Sequence, residues 1–516
     1  MTSAAGDSAT GRPGGPAEDA GPAGPADRPA RVVGRAEAVL PGARADLEAL
    51  VRIPSVSAAS FDRARVAESA DAVAQLLRDA GLDDVRVLSA PRPDGTPGAP
   101  AVVARRPAPA GAPTVLLYAH HDVQPPGTEE GWTSPAFEPT ERDGRLYARG
   151  ASDDKAGVMV HVGALRALLP TWAPDEGVGV VVFVEGEEEV GSPSFAAFLA
   201  EHRELLGGGS GLDVIVVADS DNWSVDVPSL TTSLRGLVDA RVTVSTLDHA
   251  VHSGMYGGPV VDATTALLRL LDRLRDASGD IAVPGLSSAG SPGSPGSPGS
   301  TGASGEGAAG LPDVSEERLR TDAGVLDGVE LVGSGPLAQR LWHRAAVTVI
   351  GVDVPPLERA SNTLAASATA RISLRVPPGT APHDAYAALR DHLLASAPFG
   401  ARVEVELEET GQAFAGDVDG PVYDAARAAL ARAWELDGPG AVVHAGVGGS
   451  IPFIAELVEA FPSAVVLVTG VEDPDTRAHG HDESLSLDVL RRALTAEALL
   501  LDSLATTAGA AHPERG

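Results

Sequence analysis

The sequence predicts an α/β fold: a largely parallel sheet with helices on both faces, interrupted by an inserted α+β domain. Three observations predict it. Short β-branched apolar runs alternate with amphipathic stretches over the first half of the chain, the pattern of strands that need crossover helices. From about residue 236 the order changes to strand–helix–strand–strand–helix–strand, which resembles a ferredoxin-like unit. The α/β alternation then returns from about residue 415.

In order along the chain, residues 1–30 are Gly, Ala, Pro and acid and are expected to be a disordered tail, neither signal peptide nor membrane span. The first catalytic segment is expected over 31–235. A helix over 36–52 stops at Pro54, and a second runs over 61–80. The runs "DVRVLSA", "AVVARR" and "TVLLYAHHD" read as strands, 155–169 as a helix, and "GVGVVVFVEG" and "LDVIVVADS" as strands again. The inserted domain is expected over 236–414. It holds strands at "LVDARVTVST", "AAVTVIGV", "LAASATARISLRV" and "ARVEVELEE", with helices over 259–276 and 382–397. Within it, 284–311 contains "GSPGSPGSPGSTG", a low-complexity insert with nothing to bury. The second catalytic segment is expected over 415–506, and 507–516 as a second disordered tail.

Composition narrows the function classes. With 39 Lys and Arg against 71 Asp and Glu, the formal charge is -32, which argues against nucleic acid and anionic membranes as partners. The absence of cysteine excludes disulfides, cysteine-ligated zinc and thiol nucleophiles, so any metal is held by His, Asp and Glu. No apolar run approaches the roughly 20 residues of a membrane helix. A soluble, cytoplasmic protein is expected.

Polar residues gather where apolar runs end. "TVLLYA" leads into His120, His121 and Asp122, and the i, i+2 spacing turns His120 and Asp122 to one face. They read either as a surface pair or as a ligand with its orienting carboxylate. Asp153 and Asp154 precede a helix; one could be an N-cap, but a cap needs only one acid. The strand "GVGVVVFVEG" is followed by Glu187, Glu188 and Glu189, either a solvated loop or a site where cations neutralise like charges. Asp219 ends another β-branched run, and "RAHGHDES" offers His479 and His481.

Taken together, "AHHDVQPPG", "RGASDDKAG", "EGEEEVGS", "ADSDNW", "HSGMYGG", "GGSIPF" and "AHGHDE" resemble, in order and context, the M20 metallopeptidases, particularly the branch with carnosine-type dipeptidases. The family also holds aminoacylases, succinyl-diaminopimelate desuccinylases and carboxypeptidase G. The resemblance covers roughly residues 35–505. It implies two divalent ions per subunit, zinc first, with manganese or cobalt as alternatives. One ion would be held by His120, Asp153 and Asp219, the other by Asp153, Glu189 and His479. It further implies Asp122 as the orienting carboxylate, Glu188 as general base, and a peptide bond between Asp153 and Asp154 that is often cis.

The inserted domain would serve as lid and dimerisation unit of a homodimer. His252 would reach the partner's site as an oxyanion donor, Asn362 would also act across the dimer, and Arg375 would bind the substrate carboxylate. Ser450 would lie near the substrate terminus. Three features depart from the pattern: no Arg stands just ahead of the glycines in "HAGVGGSIPF", Asp482 replaces a common Asn, and Asp221 is an additional acid. The implied activity is metal-dependent hydrolysis of dipeptides or small peptides. The rival within the enzyme class is an N-acyl-amino-acid deacylase of aminoacylase or desuccinylase type. The rival outside it is an inactive relative acting as a binding or regulatory protein.

Overall fold

The structure is a computed structural model and describes residues 28–207, 211–286, 311–449 and 452–511. Among these residues the largest sheet has nine strands. Their order is Asp84–Leu88, Ala101–Arg106, Gly179–Glu185, Thr114–His120, Val214–Ala218, Val465–Thr469, Ser229–Leu234 and Phe414–Ala415, with Val443–Val447 also paired to Ser229–Leu234. Thr114–His120 is buried along its whole length between two parallel neighbours, Gly179–Glu185 and Val214–Ala218. Burial on both faces explains why these strands read as continuous apolar runs rather than as alternating ones.

The sheet is mixed rather than largely parallel. Its centre and the pair of Val443–Val447 with Ser229–Leu234 are parallel; Asp84–Leu88 with Ala101–Arg106, Ala101–Arg106 with Gly179–Glu185, and the pairs of Val465–Thr469 and Phe414–Ala415 with Ser229–Leu234 are antiparallel. The physical reason is visible at the first pair: parallel neighbours need a crossover element, and these two strands are joined by a helix-free loop. Side chains alternate between faces, so Val115, Leu117 and Ala119 enter one core with Leu47, Leu77, Leu165 and Leu494, while Leu116 and Tyr118 enter another with Phe195, Phe198 and Phe453. Helices thus cover both faces, and the strand delivers His120 at its carboxyl end.

A second sheet is four-stranded and antiparallel, ordered Ala346–Asp353, Ser367–Val376, Gly236–Ser245 and Arg402–Gly411. Its core combines Val238, Ala240, Ile372 and Leu374 with Leu267 and Leu270 of the helix Ala263–Asp272 and Leu389 and Leu393 of Pro382–Ala395. The helix expected from Pro259 begins later: Asp262 caps it by accepting a 2.9 Å bond from the Thr265 N–H.

Helices occupy the inner ends of both expected tails. In the first, Arg28–Val51, Arg28 makes two 2.8 Å bonds to Asp502, and Val32 and Ala36 are buried. Pro41 lies inside that helix. The last helix, Leu487–Ala511, continues past 506 through an alanine-rich end, anchored by Leu501 and Leu504. Most of 1–30 and of 284–311 lies outside the described residues. No helix among the described residues is long and apolar enough to cross a membrane.

Candidate metal centre

The carboxyl ends of three neighbouring strands, the loop before the helix Lys155–Leu168 and one loop near the C-terminus converge on two groups of metal-capable side chains. His120, Asp153 and Asp219 form one; Asp153, Glu189 and His479 form the other; within each, the donor atoms lie within 4.8 Å of one another. Asp153 belongs to both. Its Oδ1 lies 3.1 Å from His120 Nε2 and its Oδ2 3.0 Å from His479 Nε2, so the two oxygens of one carboxylate face opposite imidazoles. His120 Nε2 is also 3.8 Å from Asp219, and His479 Nε2 is 3.3 Å from Glu189.

The His120 ring is oriented from behind. Its Nδ1 lies 3.1 Å from the backbone carbonyl of Asp122 and 3.5 Å from the Asp122 carboxylate, so the carbonyl, not the expected carboxylate, is the nearer acceptor. An N–H at Nδ1 leaves the Nε2 lone pair free to ligate. The Asp122 carboxylate also accepts 3.1 Å bonds from the N–H groups of both Glu188 and Glu189. It therefore fixes the turn that presents them.

The three consecutive glutamates separate by direction. Glu187 is buried and accepts from Arg92, from the Ala99 N–H and from the Ser194 N–H, so its charge is satisfied structurally. Glu188 and Glu189 lie in a 3-10 turn, Glu188–Val190, and Glu189 joins the cluster. Glu189 is held by Gln124, whose N–H and side-chain amide donate to its two oxygens at 2.9 and 2.8 Å.

Asp153 and Asp154 are joined by a cis peptide. Asp154 is not a side-chain cap of the helix Lys155–Leu168; its carboxylate instead accepts a 3.0 Å bond from the His120 N–H. Glu483, buried, accepts from the N–H groups of Gly150, Ser152 and Asp153 and from Arg149 at 2.6 Å, and so clamps the loop that carries Asp153. Sequence reasoning reaches neither Glu483 nor its partner Arg149, nor Gln124. A glutamate inside "HGHDES", beside two histidines and an aspartate, is the one signal that points to Glu483.

Burial and mutual repulsion dominate the electrostatics of the glutamates. Burial, reinforced by Asp219, Glu189 and Asp122 and opposed by His120, pushes Glu188 well above the usual carboxylate range; burial, with Asp153 adding, raises Glu189 to about 7. Burial opposes ionisation of Asp153 too, but the bonds from His120 and His479 hold it below its ordinary value. The bonds to Asp153 and Glu189 raise His479 to about 10. The two imidazoles are the nearest partners of these acids, at positions where a divalent cation would serve both.

The remaining expected residues lie elsewhere. His252 is exposed, accepts from the Gly254 N–H at 3.0 Å, and pairs with Thr363 in a two-stranded sheet of Val251–His252 and Thr363–Leu364. Asn362 adjoins it, its carbonyl accepting from the Ser253 N–H. Arg375 stands in Ser367–Val376 opposite Leu237 and Ala346. Ser450 lies outside the described residues.

Known proteins resemble this chain in sequence and in fold. The profile of peptidase family M20/M25/M40 matches residues 116–503. A cysteinylglycine-S-conjugate dipeptidase of Corynebacterium striatum is 36% identical over 393 residues, covering 76% of this chain and 81% of that protein. Among solved structures, the dipeptidase Dug1p of Saccharomyces cerevisiae superposes with a TM-score of 0.72 at 21% identity, over 94% of this chain and 99% of that one. Human carnosine dipeptidase 1 superposes with a TM-score of 0.68 at 22% identity, over 93% and 99%. The chain belongs to peptidase family M20/M25/M40.

Proposed function

We propose that the protein is a di-metal peptidase that hydrolyses the amide bond of dipeptides or small peptides. The observation that carries this reading is Asp153, whose two oxygens face His120 on one side and His479 on the other. The donor set fits a divalent ion: three carboxylates and two imidazoles, no sulfur, with crowding among the acids that a cation would relieve. His120, Asp153 and Asp219 would hold one cation and Asp153, Glu189 and His479 the other. When bound, two such ions, zinc before manganese or cobalt, supply Lewis acidity that polarises a carbonyl and acidifies water.

The rest of the chemistry belongs to the chain. Glu188 takes the proton of the attacking water at its carboxylate and delivers it to the leaving amine nitrogen. Asp122 holds His120, Glu188 and Glu189 in one frame through its carbonyl and carboxylate. Arg375 binds the substrate carboxylate, for which a guanidinium fork is suited, Asn362 acts across the dimer, and Ser450 serves the substrate terminus. Assaying a dipeptide panel beside N-acetyl and N-succinyl amino acids, with zinc, manganese or cobalt added, tests the reading. Turnover of dipeptides is expected; turnover confined to the acylated amino acids would make the protein a deacylase instead.

Segment 236–414 acts in this reading as lid and dimerisation unit. Its edge strand Ala346–Asp353 leaves Val349, Ile350 and Val352 at 40%, 50% and 44% exposure, an unprotected edge suited to a second copy. His252 then serves as oxyanion donor in the partner's site. His252→Ala should retain its metal and lose about 10²–10³ in kcat. Mixed with Glu188→Gln, it should regain activity, because one site of each heterodimer carries neither defect. Confirmed subunit exchange without any regained activity would confine His252 to its own chain.

A further inference from the structure

Of the five metal-capable side chains, His479 has the least support from burial. Its side chain is 60% exposed, whereas Asp153 and Glu189 are 8% and 3% exposed. Its φ is +63°, and Arg477 and Asp482 in the same loop have φ of +58° and +55°. Non-glycine residues in that region persist only where surrounding contacts hold them.

Those contacts come from Arg149 and from the 127–133 segment. Arg149 donates to the Gly480 carbonyl at 3.0 Å and to Glu483. The His481 ring sits in a cradle of two glycines: a Cβ on Gly131 would lie 2.3 Å from its Cδ2, and one on Gly127 2.8 Å from its Nε2. Trp132 meets the same ring edge-on at 6.2 Å. Asp482 accepts from the Thr133 N–H at 2.9 Å with one oxygen and from the Thr133 hydroxyl at 2.7 Å with the other. A carboxylate satisfies both donors at once, whereas an Asn has one acceptor oxygen.

We propose that His481 and Asp482 are positioning residues: docked on the 127–133 segment, they hold the exposed His479 imidazole against Asp153 and Glu189. The proposal rests on the di-metal reading and adds that the second ion's affinity is set by contacts outside its own ligands. The departure at Asp482 thereby acquires a role. Loss of such outer support typically weakens metal binding by about 10–100-fold.

The test is zinc titration of the full chain against a competing chelator, resolving the two ions. Asp482→Ala and Gly131→Ala are each expected to weaken the second ion by about 10–100-fold and leave the first unchanged. Asp482→Asn, which keeps the bond from the Thr133 N–H, should fall between wild type and Asp482→Ala and serves if the alanine variant does not fold. Gly131→Ala should cost nothing further in a His481→Ala background, because the clash it creates is with that ring. Equal weakening of both ions, or an unchanged second ion, would overturn the clamp while leaving the di-metal reading intact. Uptake of fewer than two ions by wild type would overturn that reading and the clamp with it.

Discussion

Asp153→Ala is expected to abolish uptake of both metal ions, not one. Each of the other four candidate ligands belongs to a single group, and only Asp153 belongs to both. Its removal leaves His120 with Asp219 on one side and Glu189 with His479 on the other, two donors each. Two protein donors are fewer than the three that ordinarily hold a catalytic zinc. The backbone should survive, because the loop around it is held by Glu483 through the N–H groups of Gly150, Ser152 and residue 153 itself. Elemental analysis of the purified variant, with circular dichroism to confirm folding, measures this. Retention of one ion would mean that the carboxylate does not bridge, and retention of two would remove it from the site.

How much of this is legible in the sequence differs by element. The central strands are legible to within a few residues because burial on both faces leaves no polar positions to confuse the pattern, as in Thr114–His120 and Val214–Ala218. Ser229–Leu234 does not read as a strand, since "SLTTSL" has few apolar residues and takes its place from pairing with Val443–Val447. The direction of the outer strands is not legible either: whether Ala101–Arg106 runs with or against Gly179–Glu185 depends on long-range pairing, which local pattern does not encode.

In the candidate site, the sequence names the residues that gather but not the groups that hold them. The resemblance of its motifs to the M20 metallopeptidases implies which side chains would share a ligand. It is silent on Glu483, Gln124 and Arg149, which bond backbone and carboxylates from behind. It also assigns Asp122 to His120 alone, whereas the Asp122 carboxylate accepts from two N–H groups far along the chain, at Glu188 and Glu189. Such partners are set by the fold and become visible only with it.

The triple glutamate gives the second large effect, because its members face different surroundings within one turn. Glu188→Gln should keep both ions and the fold while lowering turnover by about 10²–10⁴-fold, the usual range for loss of a general base. The fold should persist because Asp122 holds this turn by the backbone N–H of residue 188, which the substitution leaves in place. An amide matches the carboxylate in shape but cannot accept the water's proton. Glu189→Gln should behave differently. It replaces an anionic oxygen 3.3 Å from His479 Nε2 and facing the Gln124 amide, so the second ion should weaken and activity should recover as metal is raised. Glu187→Gln should do neither: its carboxylate is turned to Arg92, and its loss should appear as a lower melting temperature. Metal titration and kcat measured on the three variants separate these outcomes. If Glu189→Gln kept both ions and lost turnover while Glu188→Gln lost metal, the roles of the two residues would have to be exchanged.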